Sequence, residues 1–235
     1  MNNSEIKKNF ENLSTSIIAD ASTKLHVPLR VAPPSIIPLT KDTKIAGNLV
    51  PVKHTGSVSS ILEALSSSKS GDVLYVDNQG RSDEAVVGDL TTLEVQEAGL
   101  SGIIVWGLHR DTSAIRKLGF PIFSTGRVPV GPRRSETVNE NNNTVYLGDF
   151  AVSSSDTVFA DEDGIIVISY SDINRVLEEA RKIYAIEQKQ IKKLHNGLNL
   201  RKQFHFSDFL LVKKRKKNYS FGEYTRQIGA AIEQS

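Results

Sequence analysis

Between residues 45 and 124 short apolar runs alternate with stretches of helical period, and this alternation narrows the possible folds more than any other feature of the chain. Residues 45–52, 73–76, 102–106 and 121–124 read as strands. Helices are predicted over 57–68, with Ile61, Leu62 and Leu65 inward, over 90–98, stopped by Gly99, and over 112–118, stopped by Gly119. Strands separated by helices in this way pair in parallel, because a crossover helix returns the chain to the same end of the sheet. Residues 144–147, 150–153 and 165–168 read as further strands, joined by turns at Gly148-Asp149 and at Asp161-Glu162-Asp163-Gly164, so this half is expected to be antiparallel.

The flanks differ from this central region. Residues 1–13 are polar and charged without an apolar core. Ser14 and Thr15 can cap a helix carrying Ile17, Ile18, Ala21 and Leu25, after which Pro28, Pro33 and Pro34 impose an extended arm. A long amphipathic helix is predicted from 171 to about 195, with Ile173, Val176, Leu177, Ala180, Ile183 and Tyr184 on one face, ending at Asn196-Gly197. Residues 198–235 then gather Phe204, Phe206, Phe209, Tyr219, Phe221 and Tyr224 around the basic run Lys213 to Lys217. We read one domain, 1–197, and an extension, 198–235, whose aromatics are too many to leave in water. They are expected to pack on a neighbouring subunit or on the domain's own surface.

Composition removes several classes of function. The 235 residues carry 29 Lys and Arg against 27 Asp and Glu, so a net charge of +2 supplies no general field for nucleic acid, and any basic patch must be local. Without cysteine there is no thiolate nucleophile or zinc–thiolate site, which leaves oxygen and imidazole ligands and favours hard cations. The most apolar stretch, around 102–108, is too short to span a bilayer, and a cytoplasmic protein is expected.

The chemistry concentrates in Gly88-Asp89-Leu90-Thr91, which opens a helix, and in Arg110-Asp111, which follows Asp89 after twenty intervening residues. Both follow apolar strands at their carboxyl ends, the edge where α/β sheets bind ligands because helix N-termini present free N–H groups there. The amides near Leu90 and Thr91 suit a carboxylate, the Arg110 guanidinium a carboxylate or enolate oxygen, and the Asp111 carboxylate a divalent cation. An Asp directly before a helix also serves as a plain N-cap, so spacing alone leaves both readings open. His109 suits acid–base work by its ordinary pKa, yet a histidine beside an ion pair is as readily a structural donor. Arg81 and Glu84 line either the same mouth or a solvated loop. Asp161 and Asp163 lack calcium-loop spacing and read as a hairpin turn. The run Lys213 to Lys217 lies among aromatics as in some single-strand binders, but a short basic run is commonly a solvated face, and nucleic acid is not an expected partner.

From about residue 14 to residue 197 the order of segments resembles the RraA-like family. Asp89, Arg110 and Asp111 fill the pattern carried by those members that are 4-hydroxy-4-methyl-2-oxoglutarate/4-carboxy-4-hydroxy-2-oxoadipate aldolases. Gly71-Asp72-Val73, Gly119-Phe120-Pro121-Ile122-Phe123 and Ala160-Asp161-Glu162-Asp163-Gly164 are similar as well. His109, His54-Thr55-Gly56 and the extension depart from the family pattern. The resemblance implies an α/β fold of the swivelling β/β/α kind, with a mixed sheet, flanking helices and a long C-terminal helix plus tail. It further implies a class II aldolase or oxaloacetate decarboxylase forming a pyruvate enolate from 4-hydroxy-2-oxo acids or oxaloacetate, with Mg²⁺ or Mn²⁺ held by Asp111. Arg110 would stabilise the enolate, and Asp89 would orient the water that takes the C4-hydroxyl proton. Gly88, Leu90, Thr91 and Arg110 would bind the substrate. A homotrimer or hexamer with its site near a subunit boundary is implied too. The alternative is a non-catalytic regulator that binds a ribonuclease or another protein.

Overall fold

The computed structural model describes residues 1–133 and 144–228; the last seven residues of the expected extension, 229–235, lie outside the described residues. Its Cα packing forms two units, Met1–Thr15 with Leu29–Ile173, and Ser16–Pro28 with Asn174 onward.

The first unit begins with a helix absent from the sequence reading, α1 (Asn3–Phe10). The Asn2 side chain accepts from the Glu5 N–H while the Glu5 carboxylate accepts from the Asn2 N–H, a reciprocal cap that starts the helix. Ile6 and Phe10, four apart, are its whole apolar stripe, and both are buried. Asn3 fastens the helix to the sheet, donating to Asp72 Oδ1 at 2.7 Å and accepting from the Asn48 N–H at 3.0 Å. The arm then contributes two short strands, β1 (Arg30–Val31) and β2 (Ile37–Pro38).

The expected alternation follows: β3 (Ile45–Lys53), α3 (Ser59–Leu65), β4 (Val73–Asp77), β5 (Ala85–Val87), α4 (Asp89–Glu97), β6 (Gly102–His109), α5 (Thr112–Leu118) and β7 (Ile122–Arg127). β3, β4, β6 and β7 pair in parallel, and β5 pairs in parallel with β6. A two-stranded ribbon, β8 (Val145–Leu147) and β9 (Phe150–Val152), precedes the antiparallel hairpin β10 (Asp156–Asp161) and β11 (Gly164–Ser169). The resulting nine-stranded mixed sheet runs β1-β11-β10-β3-β4-β6-β7-β2, with β5 beside β6. β10 was not anticipated because Val158, Phe159 and Ala160 are all buried, and a strand covered on both faces shows no alternation.

Each face of the sheet has its own core. Tyr75, Ile104, Phe123 and Val158 meet the ribbon's Val145, Leu147 and Val152 on one side, while Leu74, Val76, Ile103 and Val105 meet Ile61, Val95 and Ile115 of α3, α4 and α5 on the other. α3 is shorter than expected, and only Ile61 of its predicted inward trio is fully buried; Leu62 is exposed and Leu65 half-buried, since a seven-residue helix lays one narrow stripe on the sheet.

The second unit is helical. α2 (Thr15–Lys24) and α6 (Ile173–His195) each place their first residue in the first unit and the rest here, with α7 (Leu200–Gln203), α8 (Phe206–Arg215) and α9 (Phe221–Ile228). Ile17, Ile18 and Ala21 of α2 and Val176, Leu177, Ala180 and Ile183 of α6 are buried, and Lys24 pairs with Glu179 at 2.8 Å. The aromatics of the extension pack on one another: Phe209 lies 5.0 Å from Phe221, 5.5 Å from Phe206 and 5.5 Å from Tyr224, centroid to centroid. Phe204, Phe209 and Tyr224 are buried, and Phe206, Tyr219 and Phe221 are half-buried.

Candidate active site

β5 and β6 set the geometry of the site. Val87 and His109 are register partners at the ends of these parallel neighbours, so Gly88-Asp89 and Arg110-Asp111 leave the sheet side by side. The Arg110 N–H continues the ladder to the Val87 carbonyl at 2.9 Å. This registration explains how Gly88-Asp89 and Arg110-Asp111, far apart in sequence, come to share one edge.

Asp111 occupies the N-cap position of α5 but makes no capping hydrogen bond. Its backbone is left-handed, φ 58° and ψ 33°, a conformation that Asp and Asn tolerate better than other side chains. That turn directs the carboxylate away from α5, to the Asp89 N–H at 3.5 Å and the Arg110 Nε at 3.4 Å. The plain-cap reading of Asp111 is therefore not what the geometry shows. Among the described residues no hydrogen bond or ion pair engages the second carboxylate oxygen, Oδ1. An ion pair as exposed as Arg110–Asp111 contributes little stability, so stability does not account for the arrangement.

Two glycines make room for these groups. A Cβ on Gly88 would stand 2.5 Å from Asp111 Oδ2, and one on Gly131 would stand 2.8 Å from an Arg110 terminal nitrogen. The guanidinium thus lies against bare backbone. Gly88 is also the N-cap of α4, without a capping side chain, so the first amides of that helix are left to other acceptors.

A cleft of about 110 Å³ opens here, lined by His54, Val58, residues 85–91, Arg110 and Pro132. Asp111 reaches its edge through the contacts above and is not part of the wall. The Asp89 carboxylate folds back to accept from the Leu90 N–H at 2.8 Å, so an incoming acid at Leu90 would have to displace it. The Leu90 side chain is 79% exposed at the rim, and Thr91 is half-buried in the wall. His54 is buried in the wall, with Nδ1 accepting from the Gly56 N–H at 3.4 Å. Sequence reading noted it only as a departure from the family pattern; its place one residue beyond β3, at the same sheet edge as Gly88 and Arg110, is the signal that identifies it.

Other candidates resolve into structural roles. The His109 ring is buried between Ser124 Oγ, 2.8 Å from Nδ1, and Thr112 Oγ1, 2.9 Å from Nε2. Burial pushes its pKa below the ordinary 6.5, helped by the charges of Arg127 and Arg116. It stands outside the cleft wall and ties β6 to β7 and α5. Glu84 is buried, not solvated: it accepts from the Arg133 N–H at 3.2 Å and lies 3.6 Å from Arg81 Nε. Asp161 serves its turn, accepting from Asp163 N–H at 3.0 Å and from Thr15.

Among the described residues no group of three His, Asp or Glu side chains converges as a metal cage. The donor set still fits one kind of cation. A lone carboxylate with a free oxygen suits a hard divalent ion that keeps most of its waters, as magnesium does.

Comparison with known proteins agrees with the fold. A 27% identical relative from Halalkalibacterium halodurans, matched over 76% of this chain and 83% of its own length, bears the name "Putative 4-hydroxy-4-methyl-2-oxoglutarate aldolase". A relative from Alcanivorax borkumensis with the same name is 32% identical over 51% of this chain and 74% of its own. The solved structure of RraAS2 from Streptomyces coelicolor, titled an unusual member of the RNase ES inhibitor RraA protein family, superposes with a TM-score of 0.68 at 22% identity, covering 85% of this chain and all of that one. With residues 15–167 matching the family's sequence model, described as Aldolase/RraA, the chain belongs to the RraA-like family.

Proposed function

We propose that this protein is a divalent-metal-dependent lyase that cleaves 4-hydroxy-2-oxo acids or decarboxylates oxaloacetate through a pyruvate enolate. The observation that carries the reading is the paired exit of Gly88-Asp89 and Arg110-Asp111 from adjacent parallel strands, which brings one carboxylate, a guanidinium and helix amides to one small cleft and a second carboxylate to its edge. The aldolase names borne by relatives at 27% and 32% identity support it.

Each residue then has a task. The substrate carboxylate is held by the N–H groups of Leu90 and Thr91, with Asp89 turning away from Leu90 as the acid arrives. The Asp89 carboxylate, released into the cleft, orients the water that accepts the C4-hydroxyl proton. As the C3–C4 bond breaks, its electron pair moves onto C3 and the C2 oxygen, beside which Arg110 places its planar charge. Protonation of C3 from solvent completes pyruvate. Asp111 would hold Mg²⁺ or Mn²⁺, which supplies Lewis-acid stabilisation of the enolate oxygen. Val58, Val86 and Val87 give the cleft an apolar wall that strengthens these charge interactions. We further propose that the protein works as a homotrimer or hexamer in the cytoplasm.

The test is pyruvate release from a panel of 4-hydroxy-2-oxo acids and oxaloacetate, with and without EDTA. Wild type should turn over and lose activity to the chelator. Asp111→Asn, which keeps a side chain at ease in the left-handed conformation, should fold normally yet lose metal-dependent turnover. Arg110→Lys should lose about a hundredfold. EDTA-sensitive turnover surviving in Asp111→Asn would remove Asp111 from the site, and no pyruvate from any substrate would favour the regulator reading.

A further inference from the structure

The chain's small net charge conceals a steep internal asymmetry. Residues 188–228 hold eleven Lys and Arg against two acids, Asp208 and Glu223, while the whole chain is only +2. The remainder is therefore net acidic, and the positive charge is concentrated on the end of α6, on α7 and α8, and on the segment just after α8.

The aromatics among these cations pack on one another. Phe204, Phe209 and Tyr224 are buried, Phe206 and Phe221 complete the cluster, and Lys213 and Lys216 lie over the Phe209 and Tyr219 rings at 5.6 Å each. A single-stranded nucleic acid would need open ring faces for stacking, and this arrangement leaves each of these rings buried or half-buried against its neighbours. Leucines are presented to solvent instead. Leu210 is 44% and Leu211 58% exposed on α8, where Leu210–Lys214 and Leu211–Arg215 are four apart and Leu211–Lys214 three apart. Residues at those spacings are neighbours on a helix surface, so two leucines and two cations share its solvent face. Lys216 and Lys217 extend the positive charge just beyond the helix, and both are exposed.

We propose that α8 and the segment after it form a peripheral docking surface for an anionic phospholipid bilayer, with Leu210 and Leu211 inserting at the headgroup level and Lys214, Arg215, Lys216 and Lys217 meeting lipid phosphates and carboxylates. Charge complementarity selects the partner: a cluster of basic residues on an amphipathic helix matches an acidic lipid surface, and the leucines supply a short-range apolar component. Among the described residues no helix is long and apolar enough to cross a membrane, so the contact is with the surface alone.

The experiment is co-sedimentation of the full-length protein with vesicles of phosphatidylcholine, with and without phosphatidylserine, at low and high salt. Capture should require phosphatidylserine and fall with salt. Lys214→Gln/Arg215→Gln and Leu210→Ser/Leu211→Ser should each weaken capture roughly tenfold with circular dichroism unchanged. Lys216→Gln/Lys217→Gln, at and beyond the C-cap of α8, should weaken it as well, with circular dichroism unchanged. Equal capture by phosphatidylcholine alone, or no capture by any vesicle, would overturn the proposal. So would single-stranded RNA binding lost in the same variants, which assigns the face to nucleic acid, or a change of oligomer size in Leu210→Ser/Leu211→Ser without lipid, which assigns it to a second copy.

Discussion

Asp111 shows how one residue's backbone decides what its side chain can do. In an ordinary cap the carboxylate would turn toward the amides of α5, whereas the left-handed turn sends it to Asp89 and Arg110. The space it occupies exists because residue 88 has no side chain. Gly88→Ala tests this directly. The backbone there, φ −130°, suits alanine, so the melting temperature should change little, but the new methyl group must displace the Asp111 carboxylate. Displacements of that size typically lower turnover on the order of a hundredfold, measured by the same pyruvate assay. Wild-type turnover in Gly88→Ala would show that the carboxylate's position is not critical.

At the level of the element, α2 and α6 combine good packing with an unfavourable charge pair. Burial raises the pKa of both Asp20 and Glu187 above their ordinary 3.8 and 4.5, and the Asp20 charge raises Glu187 further. Raised carboxyl pKa values mean that the folded state holds more protons than the unfolded chain between the ordinary and the raised values. Stability contributed by the protonated forms is thus fully present below about pH 4 and is lost as pH rises through the raised values. Asp20→Asn should therefore raise the melting temperature modestly at pH 7 and make little difference at pH 3.5, as followed by circular dichroism. A variant less stable than wild type at pH 7 would mean that Asp20 has a favourable partner that outweighs Glu187. The aromatic cluster of α7 to α9 illustrates the opposite case, in which rings that look orphaned in sequence satisfy one another. That mutual packing buries Phe204, Phe209 and Tyr224 and leaves Phe206, Tyr219 and Phe221 half-buried.

For the whole molecule, the division of labour between residues 1–197 and the extension stands as a proposal. A chain ending at Gly197 retains the cleft residues and the buried faces of α2 and α6, so it should keep pyruvate release while losing vesicle capture. Loss of turnover in a folded truncated chain would place part of the working machinery beyond residue 197. The parallel half of the sheet, its three helices and the long α6 were legible in sequence, because periodicity and glycine stops are local signals that burial on one face leaves intact. α1 and β10 were not, since one has only two apolar positions and the other is covered on both faces. By itself the sequence determined the family, the order of the central strands and helices, and the spacing of Asp89, Arg110 and Asp111. Only the tertiary structure decided that Val87 and His109 end in register, that Asp111 turns away from its own helix, that His54 joins the cleft while His109 is withdrawn, and that the extension packs its rings on one another and turns its leucines out. These are matters of which groups meet across long sequence separations, and they depend on pairing register, backbone conformation and close packing, none of which leaves a mark in the local pattern of residues.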